Sequence, residues 1–326
     1  MQRKTALKIL LGSLAAPFLQ PAFASRKGTI NIVVGYGAGG TTDLCARLFS
    51  TKLSNYLDDD IIIENKPGGN TLIANRYAAK APANGKNFLL GPMSSTIFRE
   101  IMQPAEKRGY SMLKDYRPVA TLTNYPMGLM ISSSLGVNNL NEFVDLLKKK
   151  PELATFGCTA MGSHTHLLAE LFGQKIGVKV LSIPYPSNGH VVTALMGNQL
   201  PAGMVTATEM KANIDNPKVK ILGIMTEQRS ELTPGIPTFR EQGIDAIGGD
   251  AWMGLWAPKK SPDSEINAFV AALEKVFNEP NIESELLNKL SVSPMFKASD
   301  EMQKIQSRDM KMWEEIIFNI GFKADS

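Results

Sequence analysis

Cysteine is scarce in this chain. Cys45 and Cys158 are the only two among 326 residues. A multi-bridge disulfide scaffold is therefore excluded, and two separate free thiols are expected, one on a first helix and one mid-chain. Histidine is nearly as rare, with His164, His166 and His190 alone. His164 and His166 are two apart on a helix, so they point in nearly opposite directions. No Cys or carboxylate cluster accompanies His190 at ligand spacing, so no metal site is expected. The glycine turn at residues 35–40 is not followed by Gly-Lys-Ser/Thr, and its spacing misses the dinucleotide fingerprint. No cofactor is expected either. Beyond the N-terminus no apolar run reaches transmembrane length.

A strong charge of one sign is also missing. Lys and Arg total 35 against 31 Asp and Glu. Three of the basic residues, Arg3, Lys4 and Lys8, fall in the first 24 positions, which hold no acid. The remainder carries 32 against 31, a net +1. Nucleic-acid binding needs a concentrated basic field, so that partner class is excluded. The first 24 residues have the layout of a secretory signal peptide: a basic start, the short apolar stretch from Ile9 to Leu19, then the small-x-small site Ala22-Phe23-Ala24. The stretch is too short to span a bilayer. Export to the periplasm and a soluble mature chain starting at Ser25 are expected.

What is present is a regular alternation of strands and helices. Apolar runs at Thr29–Val34, Ile61–Ile63, Phe88–Leu90, Val119–Leu122, Met127–Ile131, Thr155–Gly157, Val180–Ile183, Met204–Thr206 and Ile221–Met225 read as strands. Amphipathic segments separate them, and the region after Pro262 is helical. The pattern predicts an α/β fold with mainly parallel sheets. The mature length is about twice that of a modal domain, so two lobes are expected.

Two segments carry the strongest chemical signal. Gly35-Tyr36-Gly37-Ala38-Gly39-Gly40 joins a strand to a helix whose first residues Thr41, Thr42 and Asp43 suit an N-cap. Such a turn gathers backbone N–H groups at a positive helix end and binds an anion without Lys or Arg. Cys158-Thr159-Ala160-Met161-Gly162-Ser163-His164-Thr165-His166 repeats the device. Two such turns imply two helix N-termini facing one cleft. Tyr36 and Tyr185 stand at strand ends, where a ring can wall a pocket. Trp252 and Trp256 alternate onto one strand face, with core packing expected for at least one of them. Ser163 beside His164 and His166 leaves a hydrolase open as an alternative, although no nucleophile-elbow pattern supports it.

In their order, these segments resemble the periplasmic receptors of tripartite tricarboxylate transporters, the Bug receptors. The resemblance runs through Ile32–Asp43, Glu64–Asn70, Ala81–Gly85, Leu89–Gly91, Phe156–Leu167, Ile183–Tyr185, Pro234–Gly243 and Trp252–Pro258. It implies a type II-like Venus flytrap, with one lobe from residues 25–125 and 250–326 and the other from 126–249. It implies a monomer that captures a small organic carboxylate between the lobes and hands it to membrane transporter subunits. A sensing role beside a membrane kinase is the alternative within the same class. The ligand-binding residues expected are Tyr36, Gly37, Ala38, Gly39, Thr42 and Asp43, then Ser94, then Met161, Gly162, Ser163, His164 and Thr165, and Tyr185. No catalytic residue is expected. The chain departs from the family pattern at Gly35-Tyr36-Gly37, where Pro-Phe-Pro is usual, at Pro186-Ser187-Asn188, and at Gln199–Thr206, which lacks a common Asp. These departures bear on the ligand more than on the fold.

Overall fold

The computed structural model describes residues 28–322. The export signal expected at residues 1–24 lies outside them. The chain begins with β1 (Thr29–Val34), α1 (Thr41–Leu53), β2 (Asp60–Asn65), α2 (Leu72–Ala79) and β3 (Asn87–Pro92). A π-helical segment, Ser94–Phe98, leads into two short helices, α3 (Arg99–Met102) and α4 (Ala105–Arg108), and then into β4 (Tyr116–Tyr125). Next come β5 (Met127–Ser132), α5 (Leu140–Lys149), β6 (Thr155–Cys158), α6 (His164–Ile176), β7 (Leu181–Pro184), α7 (Asn188–Met196), β8 (Ala202–Thr206), α8 (Ala207–Ala212) and β9 (Val219–Ile224). The chain ends with β10 (Ala251–Pro258), α9 (Asp263–Phe277), α10 (Ile282–Glu285), β11 (Ser293–Ala298) and α11 (Ser299–Asn319).

These strands form two sheets, one per lobe. One is six-stranded in the order β11-β4-β10-β3-β1-β2, the other five-stranded in the order β7-β6-β8-β5-β9. Both are mixed, where the alternating pattern predicts mainly parallel ones. The antiparallel pairings are β10 with β3 and β4, β11 with β4, and β5 with β8 and β9. The cause is the passage between lobes. Only Pro126 separates β4 from β5, so β5 leaves the junction that β4 enters, and β10 likewise starts there on the return.

This connectivity decides where a ligand can sit. The end of β4 lies at the junction, so the strands parallel to it, β1, β2 and β3, also end there. The start of β5 lies there too, so the strands directed against it, β6 to β9, end there. The carboxyl ends of the parallel strands of both sheets therefore converge on one crevice, the usual ligand position in open α/β sheets.

Strand alternation builds the cores. Ile30, Ile32 and Val34 of β1 pack with Phe49 of α1 and Phe269 of α9, while Val33 faces the opposite core. In β10, Met253, Leu255 and Ala257 join the first of these cores, and Trp252 and Trp256 join the second. The two indoles are fully buried and stack at 5.7 Å. Their N–H groups donate to Asp309 and Gln306 of α11, at 2.7 and 2.8 Å. Each buried indole is hydrophobic area with one polar handle that must be satisfied. The same core runs on into the second lobe through Phe143, Phe156 and Phe172. Cys45 and Cys158 are both buried and free. Burial pushes their thiols up to about 12 and about 11. Among the described residues no helix is long and apolar enough to cross a membrane.

Candidate functional site

β1 ends at Val34 and α1 starts at Thr41, so the first glycine turn lies at the junction. Gly40 is the N-cap and no side chain caps the helix. Asp43, inside the first turn, reaches back instead. Its Oδ2 accepts from the Gly39 N–H at 2.8 Å and from Arg47 Nε at 2.9 Å, and its Oδ1 accepts from Asn65 Nδ2 at 2.9 Å. The same Asn65 amide also donates to the Tyr36 carbonyl. Burial pushes the Asp43 carboxyl up, but Arg47, the Gly39 N–H and Asn65 outweigh it and hold it down at about 2. Asp43 is thus a buried carboxylate that ties the turn to its helix and to β2. The Gly39 N–H is consumed internally. Among the described residues, the N–H groups of Thr41, Thr42 and Asp43 meet no protein acceptor. They form a positive helix end of the kind that accepts an anion.

The second turn is more self-contained. Ser163 is the N-cap of α6 and accepts from the His166 N–H. Thr165 Oγ1 accepts from the Thr159 N–H at 3.1 Å, and His166 Nδ1 accepts from the Gly162 N–H at 3.1 Å. Gly162 has φ +76°, the left-handed region that favours glycine. The Ser163 hydroxyl pairs with Thr165 and with no histidine ring. His164 points away from solvent, edge-on to Phe98 at 5.1 Å and to Trp313 at 4.9 Å. Its Nε2 has no partner among the described residues, and burial pushes the imidazole down to about 3.

A third turn, which the sequence marks as the glycine-rich end of β2 within the Glu64–Asn70 resemblance but not as part of the site, completes the crevice. Gly68, Gly69, Asn70 and Thr71 all have positive φ, at 128°, 56°, 49° and 72°. For Asn70 and Thr71 this is a costly conformation that only surrounding structure maintains. Arg99 supplies part of that structure, its Nη2 donating to the carbonyls of Gly69 at 2.8 Å and Asn70 at 2.6 Å. Thr71 packs beneath Gly35, where an added Cβ would meet the threonine methyl at 2.9 Å. The first turn and the third therefore share one wall.

Between the lobes lies a cavity of about 280 Å³, lined by Asn70, Ser94, Arg99, Met102 and Gln103 of the first lobe and by Met161, Gly162 and Phe322. It is about the size of a small-molecule site, and among the described residues no carboxylate lines it. Of the residues expected to bind ligand, Ser94, Met161 and Gly162 meet here. Tyr36, Gly37, Ala38, Gly39, Thr42, Asp43, Ser163, His164, Thr165 and Tyr185 do not line it. Tyr36 is nonetheless adjacent, its phenol near Ser95 beside Ser94, and burial pushes that phenol up to about 12. Tyr185 packs on the outer core of the second lobe. Sequence reasoning missed Asn70, Arg99, Met102, Gln103 and Phe322. The one available signal was Arg99 itself, an isolated cation in Thr96-Ile97-Phe98-Arg99-Glu100-Ile101-Met102.

A larger crevice of about 550 Å³ opens beside the junction, lined in part by Asn124, Trp252 and Met312. Glu227, Glu231, Asp250 and Asp309 face it against Arg229 and Arg308. Arg229 is paired with Glu241 and Arg308 with Asp309. Its sign is wrong for an anion.

Comparison with known proteins agrees with this architecture. The family model described as "Tripartite tricarboxylate transporter family receptor" matches residues 45–322. Protein BugT of Bordetella pertussis is 25% identical over 97% of this chain and 95% of its own. A TctC solute binding protein from Polaromonas, solved with no ligand, shows 26% identity and a TM-score of 0.73 over 90% of this chain and 99% of its own. An R. palustris protein solved with adipate shows 24% identity and a TM-score of 0.80 over 91% of this chain and 98% of that one.

Proposed function

The chain belongs to the tripartite tricarboxylate transporter receptor family, and from that premise we propose that it captures a small organic carboxylate in the periplasm for membrane transporter subunits. It is a solute-binding receptor; the carboxylate, the delivery step and the periplasmic location are the reading offered here. One observation carries it: a ligand-sized cavity, lined among the described residues by no carboxylate, walled by both lobes where their strands end. The guanidinium of Arg99 lines it, and the open N-terminus of α1 follows the turn whose Gly35 packs on Thr71, beside the lining residue Asn70. That adipate occupies an R. palustris protein of this fold supports the reading.

The same geometry supports a binding role without turnover. The Ser163 hydroxyl has no histidine base, and His166 Nδ1 is occupied by the Gly162 N–H. A thermal-shift screen of organic acids on the mature protein tests the proposal. An acid at one hundred times its Kd adds roughly 2.7 kcal/mol of stability, a shift of several degrees. A screen of mono-, di- and tricarboxylates with no shift, alongside a shift from a neutral or cationic solute, overturns it.

A further inference from the structure

We infer that Arg99 makes this receptor selective for dicarboxylates, by placing a fixed positive charge in the cavity for the second carboxylate. The inference rests on the carboxylate reading above and narrows it. Among the described residues Arg99 forms no ion pair, although its neighbour Glu100 pairs with Arg108. Its Nη2 serves the Gly69 and Asn70 carbonyls, and Nη1 reaches Gln103 Oε1 at 3.1 Å. A guanidinium has five N–H donors, so the Nε–H and one Nη1–H remain for a ligand. Those three neutral acceptors fix the side chain's position without cancelling its charge.

Cations inside clefts are normally paired, because a partly buried charge is costly to leave alone. Burial indeed acts to lower the Arg99 pKa; the Tyr110 and Tyr36 phenols oppose it, and the like charges of Arg108 and Arg76 add to it. A charge held in a cavity with no counterion among the described residues is a site prepared to receive one from solution. The chemistry of the cleft then selects the ligand. Two positive features occupy the same wall: the open N-terminus of α1, outside the cavity lining, and Arg99, within it. They are linked where Gly35 packs on Thr71, next to the Asn70 carbonyl that Arg99 holds. A molecule that satisfies both carries two anionic groups separated by a short apolar spacer. Met102, Met161 and Phe322 offer the apolar surface for that spacer.

Arg99 also staples the Gly68–Thr71 turn, so the test must separate charge from scaffolding. Calorimetric titrations of wild type, R99Q and R99K are made with succinate, glutarate and adipate, each beside its mono-methyl ester. The ester keeps the chain and removes one charge. Wild type should prefer the best diacid over its ester by about tenfold or more, the range expected of a charge-assisted hydrogen bond. R99Q should lose about tenfold or more on the diacid and less than about threefold on the ester. R99K should fall between. Equal losses on both, as a scaffolding role gives, overturn the inference, and so does an undiminished preference.

If circular dichroism shows R99Q unfolded, the wild-type preference is followed from about 50 mM to about 500 mM salt. It should shrink as the partner charge is screened; a salt-independent preference overturns the inference. Wild type that binds acids but does not prefer diacids defeats this inference alone. Wild type that binds no member of the series overturns this inference, while the carboxylate reading falls only if the wider screen of mono-, di- and tricarboxylates fails as well.

Discussion

Asp43 holds the first turn together through three hydrogen bonds, to Gly39, Arg47 and Asn65. Arg47 is half exposed, so its ion pair contributes little by itself. The Gly39 and Asn65 bonds to a buried charge contribute most. D43N should cost about 1–3 kcal/mol of unfolding free energy in denaturant titrations and weaken acid binding by loosening the turn. Unchanged stability would show that the turn does not depend on this carboxylate. Gly39 has φ +84° and open space where a Cβ would stand. G39V therefore acts through backbone strain and the loss of the Asp43 contact; blocking of an anion is not required. It should abolish binding with a near-normal circular dichroism spectrum. The glycine turn was legible as an anion-favouring feature. Its internal use of Asp43 was not, because sequence spacing cannot tell a carboxylate that caps from one that staples.

His164 makes the clearest pH prediction at this scale. Burial lowers its pKa from 6.5 to about 3. The unfolded chain thus binds one more proton than the folded chain between those values. Stability from the neutral imidazole is complete above about 6.5 and is lost as pH falls from there toward 3, with a limiting slope of about 1.4 kcal/mol per pH unit. The melting temperature of H164F should fall less between pH 7 and pH 5 than that of wild type. Equal falls would place His164 in contact with water.

At the scale of elements, helix ends and strand edges decide what could be read in advance. α6 begins with Ser163 as a side-chain cap, as its sequence predicts, and S163A should cost about 1 kcal/mol of stability while binding weakens only mildly. A severe loss of binding in a stable S163A would instead make the hydroxyl a direct ligand. The long alternating elements were legible because both the strand and helix periods are strong. β11 (Ser293–Ala298) was not: it is a half-buried edge strand containing Pro294, which only an edge tolerates. The π-helical segment Ser94–Phe98 and α3 were missed for a related reason. They are too short to show a period, yet they deliver Ser94 and Arg99 to the cavity.

At the scale of the molecule, the lobes are joined by more than the strand crossings. α11 packs on β4 and β11 of the first lobe, and its Trp313 reaches Phe98 at 4.5 Å and His164 of the second at 4.9 Å. Phe322, just beyond it, lies 4.8 Å from His166 and lines the cavity. These rings give the lobes a shared apolar seam next to the cavity. The two-lobed plan was legible from length and alternation. The seam was not, because nothing in the sequence pairs residue 313 with residue 164. The central claim is that one small acid touches both lobes. Small-angle scattering of the mature protein, with and without the acid that gives the largest thermal shift, tests it most directly. The account predicts a smaller radius of gyration with the acid bound; an unchanged radius at saturating acid would contradict it.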